Sequence, residues 1–227
     1  GLGDVYKRQA ATFTNFAMSG IDKVHFGLEA AVSIPIYHTL ALNGAVSWGQ
    51  YTYDSNPYYL QTQDNSGDIV SDGYVYWKDF RVESTPQTAV NVGLSWRSNN
   101  NIYLSADFNY YNNMYLSMSP IYRTDAVITG GMAPGDIEHL RRQEKFDSAY
   151  TLNASIGKNW YIHRKYTLGF SLDVKNILNN QDIKTGGYEQ TRLSKNTETT
   201  VTTYQAFDSK YFYMFGTTYY LNLYFRF

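Results

Sequence analysis

The nine residues from Tyr219 to Phe227 restrict what this chain can become more than any other stretch. Tyr219, Leu221, Leu223, Phe225 and Phe227 are large and apolar, and between them stand Tyr220, Asn222, Tyr224 and Arg226, each with a polar group. The period is two, so the five bulky residues share one face of a strand. An antiparallel sheet in water also has one dry and one wet face. An aromatic-rich strand at a soluble edge, however, templates pairing with other chains. A membrane barrel removes that hazard by mating its last strand to its first and turning the dry face to lipid.

The same alternation recurs upstream. Val24, Phe26, Leu28, Ala30, Val32 and Ile34 oppose His25, Gly27, Glu29, Ala31 and Ser33, and Pro35 closes the run. Leu40–Trp48, Thr88–Trp96, Ile102–Tyr110, Tyr150–Ile156 and Leu168–Val174 repeat it, with small polar residues such as Asn43, Ser47, Asn91, Ser95, Ser105, Asn153 and Ser171 on the second face. A tilted strand needs about 9–11 residues to cross a bilayer. Tyr74–Glu83 is expected to form the first part of the strand that resumes at Thr88. Ala10–Lys23, Tyr51–Ser71, Asn112–Phe146 and Asn176–Lys210 read as loops, with a short helix in the charged run Asp136–Lys145.

The connections between strands therefore run short, long, short, long, short, long, the rhythm of outer-membrane barrels with tight periplasmic turns and long external loops. The expectation is an all-β, antiparallel transmembrane barrel segment of about seven strands. Single-chain bacterial barrels have an even number of strands, so an odd count implies part of a larger barrel with a wide wet interior. In isolation it would be an open, curled sheet with Leu94, Phe170 and Leu223 on its convex, exposed face.

Composition agrees. The 227 residues include 23 Tyr, 12 Phe and 4 Trp, rings that suit the interface girdles of membrane barrels. A balance of 19 basic and 20 acidic residues argues against a nucleic-acid partner. The absence of cysteine excludes a disulfide framework and thiolate metal sites. No apolar run approaches about 18 residues, which excludes a transmembrane helix and leaves strands open. No signal-peptide pattern opens the sequence. An outer-membrane protein needs one, so the reading expects a longer parent. Gly1–Gln9 (GLGDVYKRQ) reads as a non-native extension, which leaves residues 10–227 as one barrel segment.

Several stretches carry a resemblance. Thr85-Pro86-Gln87-Thr88, Asn109-Tyr110-Tyr111 through Tyr122-Arg123-Thr124-Asp125-Ala126, Asp173–Asn180 (DVKNILNN), Lys184–Gln190 (KTGGYEQ) and Lys210–Gly216 (KYFYMFG) with Tyr224–Phe227 resemble the carboxy-terminal part of TonB-dependent outer-membrane receptors of the Bacteroidota type. The resemblance covers roughly Met18 to Phe227. It implies a barrel of about 22 strands occluded by a plug, with both the plug and the rest of the barrel absent from this sequence. It also implies TonB-dependent uptake of a bulky nutrient (a glycan, siderophore, corrinoid or peptide) across the Gram-negative outer membrane. The implied partners are membrane lipid and lipopolysaccharide, the TonB complex acting through the plug, and the barrel-assembly machinery. That machinery would read Tyr219, Leu221, Leu223, Phe225 and Phe227. A surface lipoprotein partner would point to glycans, and siderophore genes to iron.

Chemistry-bearing patterns are weak by comparison. His25, His38, His139 and His163 have no ligand spacing. Asp64–Asp68 with Asp72 approaches a calcium loop, but its glycine is misplaced and the bidentate Glu is missing. Asp107 and Asp173 face the wet side with nothing to bring them together, and no Gly-x-Ser-x-Gly elbow occurs. No catalysis, metal or cofactor is expected. The candidate ligand-binding residues are the loop aromatics Tyr51, Tyr53, Tyr58, Tyr59, Tyr74, Tyr76 and Trp77, whose faces can stack on a ligand or, alternatively, pack loop on loop. Arg141 and Arg142 read as a solvated face near lipopolysaccharide phosphates. Two other readings remain at this level. One is a plugless, porin-like channel. The other is a soluble carbohydrate-binding β-sandwich, in which the dry faces would meet each other.

Overall fold

The computed structural model describes residues 13–163, 165–195 and 202–227; the extension at residues 1–9 and Arg164 lie outside them. The strands are β1 (Thr14–Ser19), β2 (Lys23–Tyr37), β3 (Leu40–Tyr53), β4 (Tyr58–Gln63), β5 (Ile69–Tyr74), β6 (Thr88–Arg97), β7 (Ile102–Asn112), β8 (Ala149–Ile162), β9 (Tyr166–Lys175), β10 (Lys184–Lys195), β11 (Thr202–Tyr213) and β12 (Thr218–Arg226). The chain is all-β, and none of its antiparallel sheets closes into a barrel. No helix among the described residues is long and apolar enough to cross a membrane, which says nothing about strands.

The seven alternating runs form one sheet in the order β12-β9-β8-β7-β6-β3-β2. Each strand pairs with its neighbour in the sequence of large strands, so among the described residues β2 and β12 each keep one unpaired edge. The register joins the apolar rows. Leu42 lies opposite Leu94, Leu94 opposite Ala106, and Ala106 opposite Ala154. Ala154 continues to Val174 and Val174 to Tyr219. One face is thus apolar across all seven strands. It lies open: Leu28 and Leu223 are each 71% exposed, and Leu94 and Trp160 are exposed too. Phe170 shares that face but is half-buried.

The opposite face is held by short polar side chains that satisfy one another. Ser33 Oγ donates to Asn43 Oδ1 at 2.8 Å, and Asn43 Nδ2 donates to Ser95 Oγ at 3.1 Å. Asn91 Nδ2 donates to Asn109 Oδ1 at 2.8 Å, and the Ser105 and Ser155 hydroxyls are 2.8 Å apart. Near the short turns two tyrosines use glycines as seats. Tyr103 lies opposite Gly157 and Tyr224 opposite Gly169, each ring occupying the space a Cβ would need.

The buried core sits in the long connections and at the loop end of the polar face. One cluster joins Tyr53, Tyr59, Val75, Trp77 and Met118, and a second joins Met114, Leu116, Phe146, Ala149 and Ile183. Here the structure corrects four sequence expectations. Ala10–Lys23 contains β1, and Tyr51–Ser71 contains the end of β3 with β4 and the first half of β5; β1, β4 and β5 make a separate three-stranded sheet. Asn176–Lys210 contains β10 and most of β11, a hairpin. Tyr74–Glu83 is irregular beyond Tyr74, with single bridges at Val75 and Arg81, because Asp79 (φ 72°) and Ser84 (φ 61°) turn the chain out of extension. The short helix expected in the charged run is present, over Pro134–Leu140.

Candidate functional site

The three-stranded sheet sorts the loop aromatics by alternation. Its inner side places Tyr59 against Phe16, rings stacked with centroids 5.3 Å apart, and the Tyr59 hydroxyl lies 2.7 Å from Ser71 Oγ. Tyr53 stacks on Trp77 at 4.5 Å and donates to Glu83 Oε2 at 3.0 Å. Tyr53, Tyr59 and Trp77 are buried, so these three expected ligand contacts are corrected to core residues. They anchor the loop layer to the end of β3. Tyr51 is half-buried and stacked on His25 at 4.8 Å.

Tyr58, Tyr74 and Tyr76 remain exposed, Tyr74 at 57%. Tyr58 and Tyr74 are direct partners across β4 and β5, their rings 5.8 Å apart and nearly perpendicular. Tyr58 Oη donates to Asp72 Oδ2 at 2.5 Å, and this bond raises the Tyr58 pKa above its ordinary value. The group therefore offers three ring faces and one exposed carboxylate. Such a surface can stack on a planar or ring-shaped ligand and accept its hydrogen bonds.

Behind it lies a scaffold that sequence reasoning did not single out. Asp125 Oδ2 accepts the backbone N–H of Tyr74 at 3.1 Å. It can do so because Gly73 has no side chain: at φ +150° a Cβ would stand 2.3 Å from that oxygen. Tyr76 N–H donates to the carbonyl of Arg123 at 2.8 Å. Arg123, only 2% exposed, donates through Nε to Leu140 O at 2.9 Å and through a second guanidinium nitrogen to Ser119 O at 3.0 Å. The guanidinium also grips both carboxylate oxygens of Glu189, one of them at 2.9 Å. The Glu189 carboxylate takes the Ser119 N–H as well. A desolvated bidentate pair of this kind is strong and directional. Its signal lay in the two resemblance stretches Tyr122–Ala126 and Lys184–Gln190, which meet in space here.

A groove of about 920 Å³ opens between the helical segment and the β10–β11 hairpin, with His139, Arg142, Gln143, Glu144, Tyr204 and Phe207 among its walls. Most of its polar groups are already engaged. Glu144 accepts from Tyr211 Oη at 2.7 Å and from Ser209 Oγ at 3.1 Å, and Gln143 bonds backbone atoms of Arg81 and Leu116. Arg142 pairs with Glu138 on the solvated side of the chain, and both are exposed.

The remaining sequence candidates stay apart. Asp64 accepts from Asn15, Asp68 from Ser66 and Asp72 from Tyr58. Among the described residues no group of three or more His, Asp or Glu converges as a metal site would. Asp107 and Asp173 share the polar face with β8 between their strands. No family model, curated protein or solved structure matches this chain.

Proposed function

We propose that this chain is a wall segment of a TonB-dependent outer-membrane receptor whose parent takes up a bulky nutrient. The observation that carries the reading is the open apolar face of the seven-stranded sheet. About twenty large side chains at roughly half exposure leave on the order of 1,500 Å² of apolar surface uncovered. The largest patch of a typical soluble monomer is about 300–600 Å². At about 25 cal/mol per Å², keeping that face in water forgoes on the order of 35–40 kcal/mol, several times the whole stability of an ordinary domain. Acyl chains remove that penalty. A soluble β-sandwich would instead cover this face with a second sheet.

The distribution of rings supports the same reading. Phe26, Trp48, Tyr150 and Tyr219 mark the loop end of the apolar face; Trp96, Trp160, Tyr166 and Phe225 mark the turn end, with aliphatic residues between. Tyr150 and Trp160 stand roughly 34 Å apart along β8. At a tilt of about 40° the pair spans about 26 Å, close to the ~25 Å apolar band of outer-membrane barrels. The polar ladders then face the interior, and the Tyr58–Tyr74–Tyr76 surface faces outward as the nutrient contact.

The test is fractionation and transport with the full-length protein. It is expected in the outer membrane, compact in detergent until heated, and active in uptake only when TonB is present. Replacing Tyr58, Tyr74 and Tyr76 together with Ser is expected to lower uptake at least severalfold without altering the folded fraction. A detergent-free soluble monomer would defeat the reading.

A further inference from the structure

The apolar face carries one charged side chain among the described residues, Lys158. Its cross-strand partners are Ile102 and Phe170, so its stem lies in an apolar row and its Nζ is 5.1 Å over the ring of Trp160. Trp160 is exposed and sits opposite Leu168, one row nearer the turn. At the next row Tyr166 stacks on Phe225 at 5.8 Å, and Lys165 Nζ is 5.2 Å from the Tyr166 ring. Two ammonium groups are thus parked on aromatic faces along one β8–β9 corner.

No Asp or Glu side chain lies at this end, and among the described residues neither ammonium is held in an ion pair. The segments 36–40, 95–103, 158–167 and 223–227 hold His38, Arg97, Lys158, His163, Arg164, Lys165 and Arg226, but no Asp or Glu. Most of the chain's 20 acidic residues lie in the long connections at the opposite end. A cation on a lipid-facing row is costly at the midplane of a bilayer and costs little near its surface. Lys158 therefore has to reach toward the headgroups past Trp160, where no Asp or Glu side chain meets it. Two cations with no Asp or Glu beside them favour a headgroup with net negative charge over one that carries its own ammonium.

We propose that the β8–β9 corner formed by Lys158, Trp160, Lys165 and Tyr166 binds the phosphate of an anionic phospholipid in the leaflet at the turn end of the sheet. This rests on the outer-membrane reading above. The acyl chains lie along Phe170, Leu168 and Phe225, and each ammonium meets the phosphate while its aromatic neighbour shields it from water.

The test uses the full-length protein in vesicles of phosphatidylethanolamine doped with phosphatidylglycerol, with the acyl chains of one lipid or the other brominated. The readout is the part of the tryptophan quenching that disappears in Trp160→Phe. At equal mole fraction, brominated phosphatidylglycerol is expected to quench Trp160 about two- to threefold more than brominated phosphatidylethanolamine. Lys158→Gln with Lys165→Gln is expected to bring that ratio to one, whereas Lys158→Arg keeps it. Inorganic phosphate is expected to leave it unchanged. Equal quenching in the unaltered protein, or a ratio indifferent to the double substitution, overturns the headgroup site and leaves the membrane reading standing. Loss of the ratio in inorganic phosphate overturns it in favour of a free-anion site. Absence of quenching by either lipid overturns the lipid-facing reading and this site together.

Discussion

The side chain of Tyr224 fills the space above Gly169, its directly opposite residue on β9, with Cζ 2.4 Å from where a Cβ would stand. Its hydroxyl donates onward to Asn159 Oδ1. One ring thereby ties three neighbouring strands on the polar face. Every atom crowding the Gly169 position is the far end of a side chain. Gly169→Ala is therefore expected to cost about 1–3 kcal/mol by overpacking, and Tyr224→Leu in the same protein is expected to recover most of it. At Gly157 the carbonyl of Phe170 also stands 2.7 Å from the Cβ position, so Tyr103→Leu is expected to rescue Gly157→Ala poorly. Denaturant unfolding of the two double-mutant cycles measures the contrast.

The Arg123–Glu189 pair joins the second long connection to the β10–β11 hairpin. Removing one partner leaves a buried charge and, at Ser119, an orphaned N–H. Arg123→Met is expected to cost about 3–5 kcal/mol, and the double replacement with Glu189→Leu markedly less than the sum of the two single changes. Amide exchange at Ser119 and along β10 should accelerate in the single variant before the seven-stranded sheet is affected.

Gly73 is expected to tolerate no side chain. Both its φ of +150° and the Asp125 carboxylate oppose one. Gly73→Ala should detach Tyr74 from Asp125, and limited proteolysis should cut within residues 64–76 at lower protease concentration than in the unaltered protein.

Raised alkalinity should open the loop layer first. Glu144, accepting the Tyr211 hydroxyl, holds that phenol above its ordinary pKa of about 10, and Asp72 does the same for Tyr58. For a raised folded-state pKa, the stabilisation is complete below the unfolded value and is lost as pH climbs through the folded one. Exchange at β11 and β4 is therefore expected to rise above pH ~10 while β7 and β8 stay protected. Tyr211→Phe and Tyr58→Phe should flatten the response at their own strand. Coincident opening of both layers would contradict this.

The buried and exposed tyrosines should separate cleanly. Tyr59→Ala is expected to cost about 3–5 kcal/mol, in the range of large aromatic truncations. Tyr74→Ala is expected to stay within about 0.5 kcal/mol. Thermal unfolding measures both.

The seven large strands were legible because a face open across the whole sheet demands an apolar residue at every second position, and those runs obey it from Val24 to Phe225. The loop strands were not, because β4, β5, β10 and β11 bury one side against other loops and fill it with whatever hydrogen-bonds there. In Lys184–Lys195, two consecutive glycines and four charged residues hide a strand whose pairing is supplied entirely by β11. Conversely, Tyr74–Glu83 has strand-like composition but no continuous partner. The aromatic set could have been divided further: Tyr58 and Tyr59, or Val75, Tyr76 and Trp77, alternate out and in. The Arg123–Glu189 contact lay beyond reach, since its partners are 66 residues apart and only the folded loops bring them together.

The unpaired flanks of β2 and β12 carry a directional consequence. Between them the chain reverses at each of the intervening strands, so both run the same way, and docking one directly onto the other would create a parallel seam. A ring that keeps its neighbours head-to-tail must interpose an odd number of additional strands between these flanks. If the sheet is a wall of the proposed barrel, one cysteine placed on β2 and one on β12 are expected to form no disulfide with each other under oxidation.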